Sequence, residues 1–181
     1  LFEELPSQYH DSAFIDRLHA YLPGWEVDVI RGEMFTSGFG FIVDYLAEVL
    51  RHLRGDDLSH RHQNLFTLSS QISTRDRDAV NKTMSGFMKL LFPSGGETEA
   101  EVEELLRLAM ESRKRVKDQL KRIDSTYPAV DFHFVGKDGL KVQVTTLEED
   151  EYPQFYYMHA ADNDGASSSE NEQASTAAPL P

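Results

Sequence analysis

The segment from Thr98 to Ile123 constrains the fold more than any other, because it combines a helix start signal, a charge gradient and an apolar stripe. Thr98 precedes Glu101 by three residues, the spacing of a capping box. Acidic residues crowd the first turns and basic residues the last, which complements the helix dipole at both ends. The stripe consists of Val102, Leu105, Leu106, Ala109, Val116, Leu120 and Ile123. This pattern predicts a long amphipathic helix.

Shorter helices are predicted before it. Asp11 can cap a helix that runs through Tyr21, and apolar residues at three- and four-residue steps predict an amphipathic helix over Phe39–Leu53. A shorter helix is predicted over Leu58–Ser70. Ser73 and Asp76 form a second capping-box pattern, which predicts a helix that continues to the stop at Pro93.

The rest of the chain is irregular or extended. Trp25 lies in a turn-rich stretch and is expected to anchor it in the core. Alternating apolar residues on both sides of Gly136-Lys137-Asp138-Gly139 predict a β-hairpin. The prediction is a mainly α, α+β chain with a small β-hairpin and a disordered C-terminal tail. Its four predicted segments are 1–38, the helical region 39–125, the hairpin 126–146 and the acidic tail 147–181.

Charge and composition exclude several classes of protein. The net charge is −13, and eight acidic residues but no Lys or Arg follow Lys141. There is no Cys, which excludes disulfide frameworks and thiol catalysis. No apolar run approaches the ~20 residues that span a bilayer, and a secretory signal pattern is absent from the start. We therefore expect a cytoplasmic protein without membrane contact.

No self-sufficient catalytic motif is visible: a phosphate-binding G-x-x-x-x-G-K-[ST] loop and a His-Glu-x-x-His helix are both missing. Arg75 and Arg77 nevertheless lie in the first turn of a predicted helix, where a cation is unfavourable by roughly 0.3–1 kcal/mol. Together with free backbone N–H groups they could receive a phosphate. The alternative is that Asp76 and Asp78 neutralise them on a solvated surface, and the residues alone favour it.

Three other sets of residues have a functional and a simpler interpretation. Arg17 follows Asp16 between apolar neighbours, and alone it indicates a surface ion pair. His52, His60 and His62 fall close together but without a recurrent metal-ligand spacing, so a solvated polar cluster is favoured and no metal site is predicted. The basic end of the 98–123 helix could touch nucleic acid, yet a dipole-compensated surface is the simpler interpretation.

The order of segments resembles the BrxL family, the Lon-related AAA+ ATPases of bacterial BREX phage-defence systems. The likeness covers roughly residues 1–144, and the D-R-[IL]-H and PGWE patterns are its more specific parts. The segments that carry it are Leu1–Pro6, Ala13–Glu26, Glu33–Thr36, Val43–Glu48, Ser73–Val80 with Thr83, Ser85-Gly86 and Lys89–Leu91, and Arg113–Lys121.

The resemblance implies roles for the arginines. Arg17 matches the arginine finger that reaches the nucleotide of the next subunit in a ring. Arg75 matches the second-sensor arginine of the helical lid, in the same or the adjoining subunit, and Arg77 would assist in nucleotide binding. Residues 1–38 would then be the end of the AAA+ core and 39–125 the AAA+ C-terminal lid.

The resemblance also implies a longer parent. The Walker segments that hold ATP and Mg²⁺ would precede Leu1, so the chain alone is expected to bind no cofactor. The Ser/Lys protease domain of longer family members is not found in this sequence. The parent would form a ring, couple ATP hydrolysis to work on DNA and act with other BREX components. The alternative is a non-catalytic helical interaction or adaptor module.

Overall fold

The computed structural model describes residues 5–153 and divides the chain into two units, 1–144 and 145–181. None of the helices in the described residues is long and apolar enough to cross a membrane. Three short 3-10 turns lie at Ser7–Tyr9, Gly24–Glu26 and Gly32–Met34. The regular elements of the first unit are α1 (Ser12–Ile15), α2 (Val43–Leu53), α3 (His60–Gln63), β1 (Phe66–Leu68), α4 (Thr74–Leu91), α5 (Glu99–Ile123), β2 (His133–Gly136) and β3 (Lys141–Gln143).

Helices α4 and α5 form the framework and start where the sequence predicts. Ser73 Oγ accepts a hydrogen bond from the N–H of Asp76 at 3.1 Å, and Thr98 Oγ1 accepts one from the N–H of Glu101 at 3.3 Å. Both capping boxes are therefore confirmed. The two helices have 18 and 25 residues and pack against each other. Together they confirm a mainly helical α+β chain.

A three-stranded antiparallel sheet packs with these helices, in the order β1-β2-β3. The predicted hairpin is present as β2 and β3, with Phe134 opposite Val142. The predicted helix over Leu58–Ser70 is wrong, because α3 ends at Gln63 and Phe66–Leu68 is a strand. Here pairing with β2, a partner distant in sequence, determines the local structure.

Two apolar clusters hold the first unit together. In the larger cluster the sheet contributes Phe66 and Phe134, whose rings meet edge to face with centroids 5.3 Å apart. The helices contribute Val80, Met84, Met88, Val102, Leu105, Leu106, Ala109 and Met110, and the segment before α4 contributes Ile72. The smaller cluster packs Ile15 against Val116 and Leu120 near the C-terminal half of α5.

The region before α3 differs most from expectation. Helix α1 ends at Ile15 rather than at Tyr21, because the carbonyls of Asp16 and Leu18 accept hydrogen bonds from Arg113 and the chain turns away. Trp25 is 57% exposed, so the prediction of a core anchor is wrong. Helix α2 begins at Val43, and its apolar stripe is largely exposed.

The second unit contains one described helix, α6 (Leu147–Glu151). Thr146 starts it with a capping box, in which Thr146 Oγ1 accepts a hydrogen bond from the N–H of Glu149 at 3.2 Å. A disordered acidic tail is predicted from residue 147. Its first residues, Leu147–Glu151, form a helix instead. The rest of that prediction, from residue 154 onward, lies outside the described residues.

Candidate functional site

A buried cluster of charged side chains joins α1, α4 and α5. Its centre is Arg113 of α5, whose side chain is completely buried. The guanidinium donates from Nε to Asp76 Oδ1 at 2.8 Å and from Nη2 to Asp16 Oδ1 at 2.8 Å. Its Nη1 donates to the backbone carbonyls of Asp16, at 3.0 Å, and Leu18. One arginine thus binds two carboxylates and two carbonyls, as its rigid fork of donors allows.

Lys117, one turn further along α5, completes the cluster. Its Nζ lies 3.6 Å from both Asp16 Oδ1 and Asp76 Oδ2, and 5.1 Å from the centre of the Tyr127 ring. Its side chain is only 8% exposed. Two carboxylates and two cations therefore share this buried space, which is the pairing that buried charges require.

The cations determine the ionisation of Asp16. Burial by itself raises the pKa of this carboxyl group. The hydrogen bond from Arg75 and the charges of Lys117 and Arg113 outweigh burial and hold the pKa of Asp16 below its ordinary value. Asp16 is thus a carboxylate at neutral pH and binds its basic neighbours as an anion.

Arg75 lies at the start of α4 and reaches this cluster from outside. Its Nη1 donates to Asp16 Oδ2, while its side chain remains 49% exposed. The alternative predicted that Asp76 neutralises Arg75 on a solvated surface, and this is wrong. That carboxylate is fully buried and binds Arg113 and the Ser73 hydroxyl instead.

The other two predicted site residues are exposed. Arg17 donates from Nη1 to the carbonyl of Ala13 at 2.6 Å, and Arg77 lies on the solvent side of α4. The ion pair of Arg75 with Asp16 connects the start of α4 to the segment that carries Arg17, since Asp16 and Arg17 are consecutive. Arg75 and Arg17 are therefore both accessible; Arg75 contacts the cluster directly, and Arg17 follows a residue of the cluster in sequence.

Two further sequence interpretations are corrected. Arg113, Lys114, Arg115 and Lys117 are buried, so the basic end of α5 is not a simple exposed surface. His62 is also buried and so is not solvated; Asn81 is near enough to raise its pKa slightly, but neither ring nitrogen makes a hydrogen bond of normal geometry within the described residues. Within residues 5–153, no three His, Asp or Glu side chains are grouped so that they could hold a metal ion.

Sequence reasoning missed Asp16, Arg113 and Lys117 as members of one cluster. The sequence marks Asp16 as the neighbour of Arg17 and as part of the D-R-[IL]-H pattern, and Arg113 as one of several basic residues near a helix end and as the start of a segment that resembles the family. The available signal was chemical. Four or more basic residues in the same turns of one helix exceed what a helix dipole needs, so buried carboxylates elsewhere could have been expected to pair with them.

Comparison with known proteins places this chain in a family. Residues 1–133 match the family described as "Lon-like protease BrxL-like, ATPase domain". The chain is 42% identical over 151 residues to the Lon-like protease BrxL of Bacillus cereus (strain H3081.97). It is 39% identical over 150 residues to the protein of the same name from Escherichia coli O9:H4 (strain HS). Each match covers 82% of this chain but 22% of the relative, so the chain spans about a fifth of those proteins.

Proposed function

Because the chain belongs to the Lon-like protease BrxL-like ATPase domain family, we propose that it forms part of the ATPase domain of a longer BREX-type protein that hydrolyses ATP. Residues 39–125 act as the helical lid of that domain, and residues 1–38 are the end of its core. The longer protein assembles as a ring in the cytoplasm and couples hydrolysis to work on DNA in phage resistance, with other BREX components as partners.

In this proposal two arginines act on the triphosphate. Arg17 is the arginine finger and Arg75 the second-sensor residue, and both stabilise the charge that develops on the γ-phosphate. Arg77, also exposed near the start of α4, assists in binding the phosphates. The observation that carries the proposal is the ion pair between the half-exposed Arg75 and Asp16, which lies directly before the exposed Arg17 in the chain.

The residues of this chain fit the phosphates of ATP rather than Mg²⁺. Arg75 offers a half-exposed guanidinium at the start of an 18-residue helix, where the positive end of the dipole also favours anions. Mg²⁺ prefers carboxylate and other oxygen ligands, which the proposal assigns to the Walker segments of the longer protein. The metal supplies charge neutralisation between the β- and γ-phosphates.

The test is ATP turnover by the full-length protein that contains this chain. We expect Arg17→Ala and Arg75→Ala each to lower turnover at least 100-fold, because an arginine finger contributes roughly 10³–10⁵ in kcat. The melting temperature and the assembly state should be retained. Arg51→Ala is the matched control, because Arg51 is an exposed arginine whose ion-pair partner in the part of the chain that the structure describes is Glu48 of its own helix. Normal turnover in both site variants would remove the mechanism.

One observation favours a second function, that of a helical interaction module without nucleotide chemistry. The stretch before and within α2 exposes several large apolar side chains, among them Phe41 at 77%, Ile42 at 74% and Val43 at 77%. Exposed apolar patches often mark contact surfaces for other proteins. This function requires no ATP, so partner binding that survives in Arg17→Ala and Arg75→Ala would favour it.

A further inference from the structure

The cluster around Asp16 and Asp76 contains one cation more than its carboxylates require. Arg113 and Lys117 each contact both carboxylates, and these four groups already balance in charge. Arg75 is a third cation, and within the described residues its side chain has Asp16 as its partner. Removing Arg75 from Asp16 would therefore leave every buried charge compensated.

Burial separates Arg75 from the other two cations. The side chain of Arg113 is 0% exposed and that of Lys117 is 8% exposed, whereas that of Arg75 is 49% exposed. The Arg75–Asp16 pair contributes less than a fully buried pair, because water solvates the half-exposed guanidinium when it separates, while the buried Asp16 keeps Arg113 and Lys117 as partners. Breaking a buried pair by removing one partner is strongly destabilising. Of the three contacts made to Asp16, the one with Arg75 is thus the one that can exchange.

We propose that Asp16 is a positioning residue, which holds Arg75 in the nucleotide-free protein and releases it to the terminal phosphate of a bound nucleoside triphosphate. This inference rests on the proposed function of Arg75. A triphosphate carries more negative charge than a carboxylate and presents three terminal oxygens to the guanidinium. Asp16 then remains bound by Arg113 and Lys117, so the segment with Arg17 stays in place while Arg75 changes partner.

The exchange makes Asp16 a competitor of the nucleotide. Asp16→Asn removes the charge that holds Arg75, while its side-chain oxygen can still accept the hydrogen bond from Arg113 Nη2. In the full-length protein we expect this variant to bind a non-hydrolysable ATP analogue about two- to fivefold more tightly, the effect of losing an ion pair with one half-exposed partner. Arg75→Gln should bind it more weakly. Adding Asp16→Asn to Arg75→Gln should change the affinity no further.

The double variant separates exchange from a general effect of charge. Removing one negative charge favours any anion, and that effect would persist when Arg75 is absent. Asp78→Asn is the matched control, because it makes the same charge change on the exposed surface of α4, where Arg75 pairs with Asp16 and not with Asp78 among the described residues. A gain in affinity that also occurs in the Arg75→Gln background, or an equal gain in Asp78→Asn, overturns the exchange.

The outcomes also distinguish this inference from the proposed function. If Arg75→Gln leaves both affinity and turnover unchanged, the proposed function of Arg75 fails. If Arg75→Gln weakens binding but Asp16→Asn does not tighten it, only the exchange fails.

The unmodified protein provides a second test, which does not depend on the folding of any variant. Its structure should be determined by electron cryomicroscopy with and without the non-hydrolysable ATP analogue. We expect Arg75 to contact Asp16 without the analogue and the terminal phosphate with it. An ion pair between Arg75 and Asp16 that persists beside the bound analogue overturns the exchange.

Discussion

Arg113 Nε donates to Asp76 Oδ1 at 2.8 Å, and both side chains are completely buried. This contact connects the first turn of α4 to the middle of α5. It lies about one turn beyond the last residues that these helices contribute to the larger apolar cluster, Val80 and Met110. Since the same guanidinium binds Asp16, it also holds the segment that follows α1. One side chain thus contacts three parts of the first unit and helps to fix their relative position.

Arg113→Met should therefore destabilise the chain strongly. The substitution leaves two buried carboxylates with Lys117 as their shared cation, and breaking a buried pair costs roughly 3–5 kcal/mol. The measurement is the free energy of unfolding from urea titration. Arg107→Met on the same helix is the control, because Arg107 makes only a half-exposed pair with Glu103, and it should cost no more than about 0.5 kcal/mol. Equal losses in the two variants would contradict the assigned role of Arg113.

Ser73→Ala should cost about 1 kcal/mol of stability, the typical effect of losing a helix N-cap. The Ser73 hydroxyl accepts from the N–H of Asp76 and donates to Asp76 Oδ2 at 2.7 Å, so the substitution removes both bonds. Ser73→Thr keeps the hydroxyl and should preserve stability to within a few tenths of a kcal/mol. Urea titration checks both. A loss in Ser73→Thr as large as in Ser73→Ala would show that packing, rather than the cap, matters at this position.

The sequence predicted α4 and α5 well, because their signals are local. Each helix begins with a hydroxyl three residues before a carboxylate, and each carries an apolar stripe. The hairpin was predictable for the same reason, since its strands flank a short turn that contains Gly139 at φ +78°. These elements are determined by residues within one or two turns of each other.

The candidate site was predictable only in part. Arg75 was marked by its unfavourable place at a helix start and by the family pattern, and it does reach an accessible cluster. The partnership of Asp16, Asp76 and Arg113 was not predictable, because it joins residues 37 and 97 positions apart. Strand β1 was missed for a related reason, since its pairing partner lies in β2, on the far side of two helices.

His62 should make the chain lose stability in mild acid. Burial lowers the pKa of His62 to about 4 from its ordinary value of 6.5. The unfolded chain therefore binds a proton first, and the free energy of unfolding falls as the pH drops from about 6.5 towards 4. The loss reaches about 3 kcal/mol at the lower end. Urea titrations between pH 7 and pH 5.5 measure the first part of this loss, about 1.4 kcal/mol, above the range in which most carboxylates titrate.

His62→Leu supplies the comparison for this pH dependence. Leucine fills a similar volume and brings no polar atom into a position where neither histidine nitrogen has a partner. Over the same pH interval the free energy of unfolding should fall less steeply in the variant than in the parent. The difference in slope should be at most that of one proton bound on unfolding. The same slope in both proteins would show that His62 is protonated in the folded state, contrary to its burial.

Leu46→Glu should reduce self-association of the chain without unfolding it. Leu46 belongs to the apolar stripe of α2 but is 44% exposed, and neighbouring Val43 is 77% exposed. Glutamate is a good helix former, so the free energy of unfolding should change by no more than about 0.5 kcal/mol. Contiguous exposed apolar side chains promote association, and a charge in their midst opposes it.

Leu140→Glu is the control: it adds the same charge at an exposed position of the hairpin turn and should leave association unchanged. Analytical ultracentrifugation of the three proteins decides, and an equal reduction in both variants would mean that net charge, rather than the α2 face, controls association.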